Sequence, residues 1–375
     1  MSNHTRVTHF ILVGFSETPQ LRLVVIQFFL LVYTFGLLGN ISIIAAAYDR
    51  YLAIIRPLLY GTIMSHKCRV EMVVTAWVSG AIYSAFHTFN TFSLPYCGPN
   101  VVEHFFCDIP AVMRLSCTDY HLNEDIGFAN LSFLDMCYTS VTIPKAVVMS
   151  FTGSGLISYP DCVAQLYVFI TLASTECFLL TAMAYDRYLA IFRPLLYGTI
   201  MSHKCRVAMV VTAWVSGAIY SAFHTFNTFS LPYCGPNVVE HFFCDIPAVM
   251  RLSCTDYHLN EEIGFAVSKY IIMSTFALTV LSYVGIVSTV VRIPSVDGRW
   301  KAFSTCSSHL TTVVLFYGTG SFVYLRPASR YSPTQGRLAS IFYSVLTPSL
   351  NPVVYCLRNK DMKFALQKLY CRRKY

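Results

Sequence analysis

The chain has 375 residues, of which 55% are hydrophobic and only 12% are charged, and its formal net charge is +8. A soluble domain of this length carries about twice that charged fraction, so the composition favours a polytopic membrane protein over a soluble one. The Lys and Arg residues occur in short segments beside apolar runs, as the positive-inside bias requires. A nucleic-acid partner is therefore not expected, and no Gly-rich phosphate loop or metal constellation points to an enzyme.

The first predicted elements are an outer tail and one membrane span. Residues 1–22 form the tail, in which Asn3 begins an acceptor sequence for N-glycosylation. Residues 23–46 form an uncharged apolar run that is long enough to cross a membrane. A buried Asn needs hydrogen-bond partners in lipid, so Asn40, near the inner end of this run, is expected to face other helices.

The next stretch is a duplicate of a later one. Residues 47–129 reappear as residues 184–266 at a constant offset of 137, and only three of the 83 pairs differ. The differing pairs are Ile55 and Phe192, Glu71 and Ala208, and Asp125 and Glu262. Repeat architectures stack several diverged units, so a single, nearly unmutated pair indicates a recent duplication, a recombined gene or an error of sequence assembly.

The duplicate creates a conflict of topology. It contains its own candidate span at residues 70–89, and a weaker apolar run with Asp135 follows at residues 129–148. If residues 70–89 cross the membrane, residue 129 begins on the outer side. Eight crossings would then place the basic tail outside, against the positive-inside bias. We therefore expect the duplicate not to span cleanly, or to displace a proper helix.

The remaining runs follow in regular order. Five further spans are predicted at residues 163–185, 207–226, 263–291, 302–325 and 338–357. The predicted fold is an all-α membrane protein, a seven-transmembrane helix bundle with one extra helix-plus-loop segment inserted after the first span. Its parts are residues 1–22 (tail), 23–46 (first span), 47–129 (insert), 130–357 (remaining spans) and 358–375 (a cytoplasmic tail whose amphipathic helix lies on membrane lipid).

Four cysteines form an even set on the predicted outer side. They are Cys162, Cys234, Cys244 and Cys254. Two disulfide bonds are the favoured interpretation, and three pairings are compatible with the sequence. A zinc site is the rival, but the ten-residue spacings do not fit paired Cys-x-x-Cys ligands, so no metal is assigned to these residues.

Three polar motifs end or begin apolar runs. Asp186-Arg187-Tyr188 closes the third run, and its simplest explanation is a solvated ion pair at a helix end. KAFSTCSSHL opens the sixth run with Lys301 and contains His309, and ionisable groups at such depth tend to be functional or paired. PSLNPVVY closes the seventh run, where Pro352 removes a backbone donor and bends the helix.

Together with MAYDRYLAI and the following PLLY, these motifs resemble those of olfactory receptors, a branch of the rhodopsin-like G-protein-coupled receptors. The resemblance implies a multi-pass plasma-membrane protein without enzymatic activity or a resident cofactor, apart from a sodium or water site near Asp135. It also implies disulfide bonds between Cys162 and Cys244 and between Cys234 and Cys254. The implied residues of the G-protein switch are Asp186, Arg187, Tyr188, Lys301, His309, Asn351, Pro352 and Tyr355.

The same resemblance implies two partners, a small odorant and a heterotrimeric stimulatory G protein. The pocket residues it implies are Phe169, Ile170, Ala173, Ser174, Tyr317, Ser321 and Tyr324. Apolar walls with a few hydroxyls suit a small, mostly apolar volatile molecule. For any single one of these residues, simple packing between helices is an equally good explanation.

Two alternatives stay open. The duplication allows a misfolded or nonfunctional receptor, the product of a duplication or of a gene-model error, because the insert carries a second Asp-Arg-Tyr triplet and three surplus loop cysteines. A transporter is the alternative from another class, since internal repeats are typical of transporters. However, transporter repeats duplicate whole bundles and diverge, whereas this one copies a single helix with two loops.

Overall fold

The structure is a computed structural model of the chain. It describes residues 7–12, 19–55, 120–152, 155–234, 237–292, 294–324 and 333–356. Most of the insert predicted at residues 47–129 lies outside these ranges, as do Asn3 and the tail at residues 358–375.

The described chain is mostly helical. Its α-helices are α1 (Pro19–Ile55), α2 (Tyr120–Thr152), α3 (Tyr159–Phe192), α4 (Pro194–Ile200), α5 (His203–Phe229), α6 (Ile246–Met250), α7 (His258–Val291), α8 (Val296–Tyr324), α9 (Pro333–Ile341) and α10 (Thr347–Cys356). A π-helical turn, Phe342–Leu346, joins α9 to α10. α1 continues beyond the predicted span into the first residues of the insert, and α2 begins within its last ones.

Four described helices are long and apolar enough to cross a membrane. The segments concerned are Val24–Ile44 of α1, Tyr159–Phe192, Lys204–Phe229 and His258–Val291. They correspond to the first, third, fourth and fifth predicted spans. The other predicted spans correspond to α2, α8 and α9 with α10, which are helical but are not among these four segments.

Three short strands bring several helix ends to one face. β1 (His9–Leu12) pairs antiparallel with β2 (Leu156–Ser158) and parallel with β3 (Val238–Val239). β1 precedes α1, β2 joins α2 to α3, and β3 lies between α5 and α7. The disulfide bonds Cys162–Cys244 and Cys234–Cys254 lie on the same side. Disulfides form in oxidising compartments, so this is the outer face.

The opposite, inner face holds the end of α1 and the beginning of α2. α1 starts at the outer sheet and runs away from it, whereas α2 runs towards it. Near the start of α2, Gly127 lies against Met183, close to the inner end of α3, where an added Cβ would be 3.0 Å from Met183 Cε. The chain therefore leaves α1 and re-enters α2 at the same face of the bundle.

Helix α3 forms the centre of the core. Its side chains Leu166, Phe169 and Leu180 are at most 2% exposed, and they belong to one hydrophobic cluster with side chains of α2, α5 and α8. On the far side, α1 and α10 approach closely because of two glycines. An added Cβ at Gly39 would lie 2.5 Å from Pro352 Cβ, and at Gly36 it would lie 2.8 Å from Ser349 Oγ.

Candidate functional site

The inner end of α3 holds an acid and a base in different surroundings. Asp186 Oδ1 accepts a 2.7 Å hydrogen bond from the Tyr197 hydroxyl of α4, so the short helix is tied to the end of α3. The neighbouring Arg187 is only 5% exposed. Burying an arginine side chain is costly unless it has partners. The Arg187 charge lies close enough to Tyr283 of α7 and His309 of α8 to act on both side chains. It is therefore not the solvated helix end of the simplest interpretation.

His309 connects three helices at this level. Its Nε2 lies 3.1 Å from the Leu180 carbonyl of α3, and its Nδ1 lies 2.8 Å from the Tyr283 hydroxyl of α7. A carbonyl can only accept, so in the neutral imidazole Nε2 donates to Leu180 and Nδ1 accepts from Tyr283. The side chain is fully buried, so these two contacts tie α8 to α3 and α7 inside the bundle.

A second polar site lies deeper in the bundle, between α2 and α10. The amide Nδ2 of Asn351 donates to both carboxylate oxygens of Asp135, at 3.1 and 3.0 Å, and both residues are fully buried. Glu176 of α3 is 4% exposed and interacts electrostatically with Asp135. Two carboxyl groups therefore share one buried region, which makes it a candidate for a cation or an ordered water.

Several buried oxygens near this pair have no hydrogen-bond partner among the described residues. They are Asn40 Oδ1, Ser132 Oγ, Glu176 Oε1, Ser349 Oγ and Asn351 Oδ1. Asn40 nevertheless contacts this region, because its Nδ2 donates to the Pro348 carbonyl at 3.4 Å. Buried oxygens without hydrogen bonds are energetically costly. The clustering of several such oxygens here therefore favours a bound cation or water, either of which would interact with their lone pairs.

A cluster of hydroxyl and thiol groups connects α3, α7 and α8 above the inner network. Cys177 Sγ lies 3.2 Å from Thr275 Oγ1 and 3.4 Å from the Tyr317 hydroxyl. Thr181 Oγ1 lies 3.4 Å from the same Tyr317 hydroxyl and 3.3 Å from Thr279 Oγ1. We call these five residues the hydroxyl cluster. It offers a few polar groups inside otherwise apolar surroundings, as small-molecule sites do.

The sequence model of the olfactory receptor family matches residues 7–130 and 126–373. The chain is also 36% identical over 367 residues to mouse olfactory receptor 5AR1, covering 98% of this chain and 97% of the relative. The chain belongs to the olfactory receptor family. Human olfactory receptor 10A7 is 37% identical to this chain over 366 residues, which cover 98% of this chain and 95% of the relative. Human olfactory receptor 5A1 is 46% identical to this chain over 258 residues, which cover 68% of this chain and 82% of the relative.

Membership of this family makes the chain an odorant-sensing G-protein-coupled receptor of the plasma membrane and not an enzyme. It predicts small-molecule ligands and coupling to a G protein. Among solved structures, squid rhodopsin matches with a TM-score of 0.49 and 17% identity, covering 67% of this chain and 72% of that chain.

The predicted pocket residues of the receptor lie in different environments within the bundle. Phe169 stacks on Tyr138 with ring centroids 4.6 Å apart, and Ile170 is 9% exposed. Ser174 Oγ donates to the Ile170 carbonyl at 2.6 Å and also lies 3.3 Å from the Gly217 carbonyl, so it faces α5. Ala173 is partly buried against the core, and Tyr317 belongs to the hydroxyl cluster. The side chains of Ser321 and Tyr324 lie outside the description, as do those of Lys301 and Tyr355.

The outer loop of the receptor carries a buried ionisable pair that sequence reasoning did not single out. His241 is fully buried, its Nε2 lies 2.9 Å from Ser340 Oγ of α9, and burial lowers the pKa of His241 to about 3. Asp245 is 4% exposed, and burial raises the pKa of Asp245 to about 7. The part of the outer loop that carries His241 and Asp245 is thus buried within the bundle.

Glu176 and Cys177 were also missed as site residues. A sequence signal for Glu176 exists, since it is a carboxylate inside an apolar run, and such a residue is a functional candidate by default. For Cys177 there is no such signal, because a cysteine in an apolar run is more often a small buried hydrophobe. Only the packing of α7 and α8 shows that its thiol meets two hydroxyl groups.

Proposed function

We propose that this receptor binds a small, mostly apolar volatile molecule beside the hydroxyl cluster and activates a heterotrimeric stimulatory G protein through its inner face. The observation that carries the proposal is the position of Tyr317, whose hydroxyl lies within 3.4 Å of both Cys177 and Thr181. One or two hydrogen-bonding groups within an apolar site orient such a ligand without the charged partner that an amine would need.

The route to the G protein runs along α3. Thr181 of the hydroxyl cluster follows directly after Leu180, whose carbonyl accepts from His309, and the charge of Arg187 acts on His309. A ligand that prefers one arrangement of α3, α7 and α8 shifts the population of that arrangement. We propose that the Arg187 contacts open in the active arrangement. The G protein would then contact the inner segments that hold Arg193, Lys204 and Arg299.

The test is cyclic AMP production in cells that express the receptor at a measured surface level, with a panel of volatile molecules. Replacement Tyr317→Phe removes one hydroxyl from the cluster and is expected to shift half-maximal concentrations about three- to tenfold, the value of one hydrogen bond. The matched control is Tyr270→Phe, because Tyr270 is 73% exposed on the outer surface of α7. Equal shifts in both variants would refute the assigned site.

We also propose a monovalent cation site at Asp135 and Glu176, with oxygens of Ser132 and Asn351 as further ligands. The two carboxyl groups and the unpartnered oxygens support it, since hard cations prefer oxygen ligands. Sodium chloride is expected to raise the melting temperature of purified receptor above that in choline chloride. Replacement Asp135→Asn should abolish this difference. A sodium effect that survives in both Asp135→Asn and Glu176→Gln variants would place the ion elsewhere.

The second candidate is a receptor that does not signal. It is favoured by one observation, namely that the end of α1 and the start of α2, between which residues 56–119 lie in the sequence, are both at the face that also holds Arg187. A long insert there would stand where a G protein must dock. Epitope tags at both ends, a probe near Cys107 and loss of glycosylation in an Asn3→Gln variant would map the sides of the membrane. A cytosolic probe with normal surface level but no response to any odorant would favour this candidate.

A further inference from the structure

An apolar groove lies between α7 and α8 on the side that faces the surrounding membrane. Its volume is about 930 Å³, and it extends along α7 from Ile272 to Ser288, a distance of about 24 Å at the rise of an α-helix. The opposite wall runs from Leu310 to Gly318 of α8. The side chains on its rim open outwards, because Val284 is 59% and Val314 is 62% exposed.

The polar groups along the groove bond to the protein and not towards the opening. Tyr283 bonds to His309, and the Ser288 hydroxyl donates to the Gly285 carbonyl at 2.8 Å. Thr279 donates to the Thr275 carbonyl, and Tyr317 belongs to the hydroxyl cluster. The groove therefore offers a long hydrocarbon surface, which fits an acyl chain better than a ligand that needs hydrogen bonds.

The inner end of the groove leads to two arginines. Arg292, the residue that caps the C-terminus of α7, follows Ser288 by four residues and keeps a helical backbone, so it continues the face of α7 that carries Ser288, one turn further on. Arg299 precedes Leu310 by 11 residues, which is close to three whole turns, so Arg299 lies on the groove side of α8. Both arginines are exposed.

The two arginines also lie at a similar depth. α7 and α8 are antiparallel, and the Tyr283 hydroxyl lies 3.2 Å from the Cys306 carbonyl. Counting inwards from this contact, Arg292 is nine residues along α7 and Arg299 is seven residues along α8. Trp300, next to Arg299, is 71% exposed, as is typical of tryptophans at a membrane interface. The stretch that holds both arginines contains one acidic residue, Asp297, so the formal net charge of the stretch remains positive.

We propose that the groove between α7 and α8 binds one acyl chain of an anionic phospholipid, whose phosphate is held by Arg292 and Arg299. The apolar wall accounts for the chain, and the paired positive charges at its inner mouth account for the headgroup. The groove shares Thr279 and Tyr317 with the hydroxyl cluster, but the lipid proposal rests on the exposed apolar wall and the two arginines and does not depend on the odorant site proposed above. A bound chain fills the space between the two helices and so favours their present separation.

The test is native mass spectrometry of the purified full-length chain with phosphatidylglycerol or phosphatidylcholine of identical acyl chains. We expect phosphatidylglycerol to be retained about tenfold better, since each basic residue adds to the attraction of an anionic headgroup. The double variant R292Q/R299Q should lose this preference. A wild-type receptor that retains both lipids equally would overturn the assignment of the headgroup.

The groove itself is tested by filling it. Replacement of Val314 or Val284 by Trp should displace retained phosphatidylglycerol, whereas Leu281→Trp should not, because Leu281 is 65% exposed but does not line the groove. Val314→Phe is a smaller substitution that serves if the Trp variants do not fold. Equal retention in the Val314 and Leu281 variants would overturn the groove. Displacement of the lipid by soluble glycerol phosphate would also overturn the proposal, because the phosphate site would then need no acyl chain. Displacement by a sterol at equal concentration would overturn it as well.

Discussion

Two nearly identical decapeptides occupy different places in this receptor. YHLNEDIGFA, residues 120–129, begins α2, and YHLNEEIGFA, residues 257–266, contains the start of α7. Both form the first turns of a long helix. However, Gly127 packs against Met183 near the inner face, whereas Gly264 packs against Asn227 and His224 near the outer face. The local sequence thus determines the helix, and its neighbours determine on which side of the membrane the helix begins.

The comparison extends to the rest of the duplicate. The later copy supplies the outer loop, with Cys234, Cys244 and Cys254 in their disulfide bonds. The earlier copy connects α1 to α2, whose joined ends both lie at the inner face. Its corresponding cysteines are Cys97, Cys107 and Cys117. The same residues are therefore expected on opposite sides of the membrane, and this expectation can be tested one residue pair at a time.

The largest effect is expected for the disulfide partner of Cys162. Cys244→Ser leaves Cys162 without its partner and should remove about 2–5 kcal/mol of stability, enough to abolish surface expression. Cys107→Ser, the matched change in the other copy, should leave surface staining unaltered. If Cys244→Ser keeps surface expression and only the double variant loses it, Cys107 reaches the outer side and the two copies are interchangeable.

A comparable contrast is expected for Arg187 and Arg50. Arg187 is buried beside Tyr283 and His309, so Arg187→Gln should reduce the odorant-induced cyclic AMP response at least about tenfold, through loss of a buried charged hydrogen-bonding group. Arg50 lies in the last turns of α1, and Arg50→Gln should leave the response unchanged at equal surface level. Equal losses would show that both triplets contribute to the inner face.

The outer-loop pair predicts a smaller, pH-dependent difference. Asp245 has a pKa of about 7 in the folded receptor against an ordinary 3.8, so its contribution to stability rises as the pH falls from 7 towards 4. His241, with a folded pKa of about 3 against 6.5, contributes the opposite change as the pH falls below 6.5. Arg337 faces His241 and acts in the same direction as burial. The two contributions offset each other in the wild type.

Replacement Asp245→Asn leaves only the histidine contribution. The melting temperature of this variant should therefore fall between pH 7.5 and pH 5, by an amount that corresponds to on the order of 2 kcal/mol, while that of the wild type changes less. Asp108→Asn, the same change in the earlier copy, should follow the wild-type profile. Parallel pH profiles for wild type and Asp245→Asn would contradict the buried pair.

The apolar runs of the sequence were sufficient to predict α3, α5 and α7, because a span needs about 20 apolar residues whatever its neighbours are. The outer sheet could not be predicted, since strands as short as Leu156–Ser158 depend on a partner far away in the chain. The hydroxyl cluster depends on the rotation of three helices about their axes. For that reason Tyr317 was identified only through family resemblance, and Cys177 was not identified as a site residue.

The smallest expected effect returns to the two decapeptides. Alanine in a helix interior is favoured over glycine by about 0.5–1 kcal/mol, so both Gly127→Ala and Gly264→Ala begin with the same gain. At Gly127 the added Cβ meets the flexible end of Met183, which can turn aside. At Gly264 it lies 3.3 Å from Asn227 Nδ2, which donates to the Asn260 carbonyl at 2.8 Å and cannot retreat without weakening that bond. Thermal unfolding of the two variants should therefore show a higher melting temperature for Gly127→Ala and little change for Gly264→Ala. The reverse order of melting temperatures would mean that packing around Gly127, at the inner start of α2, is tighter than packing around Gly264. This end of the duplicate would then be packed more rigidly than its contact with Met183 indicates.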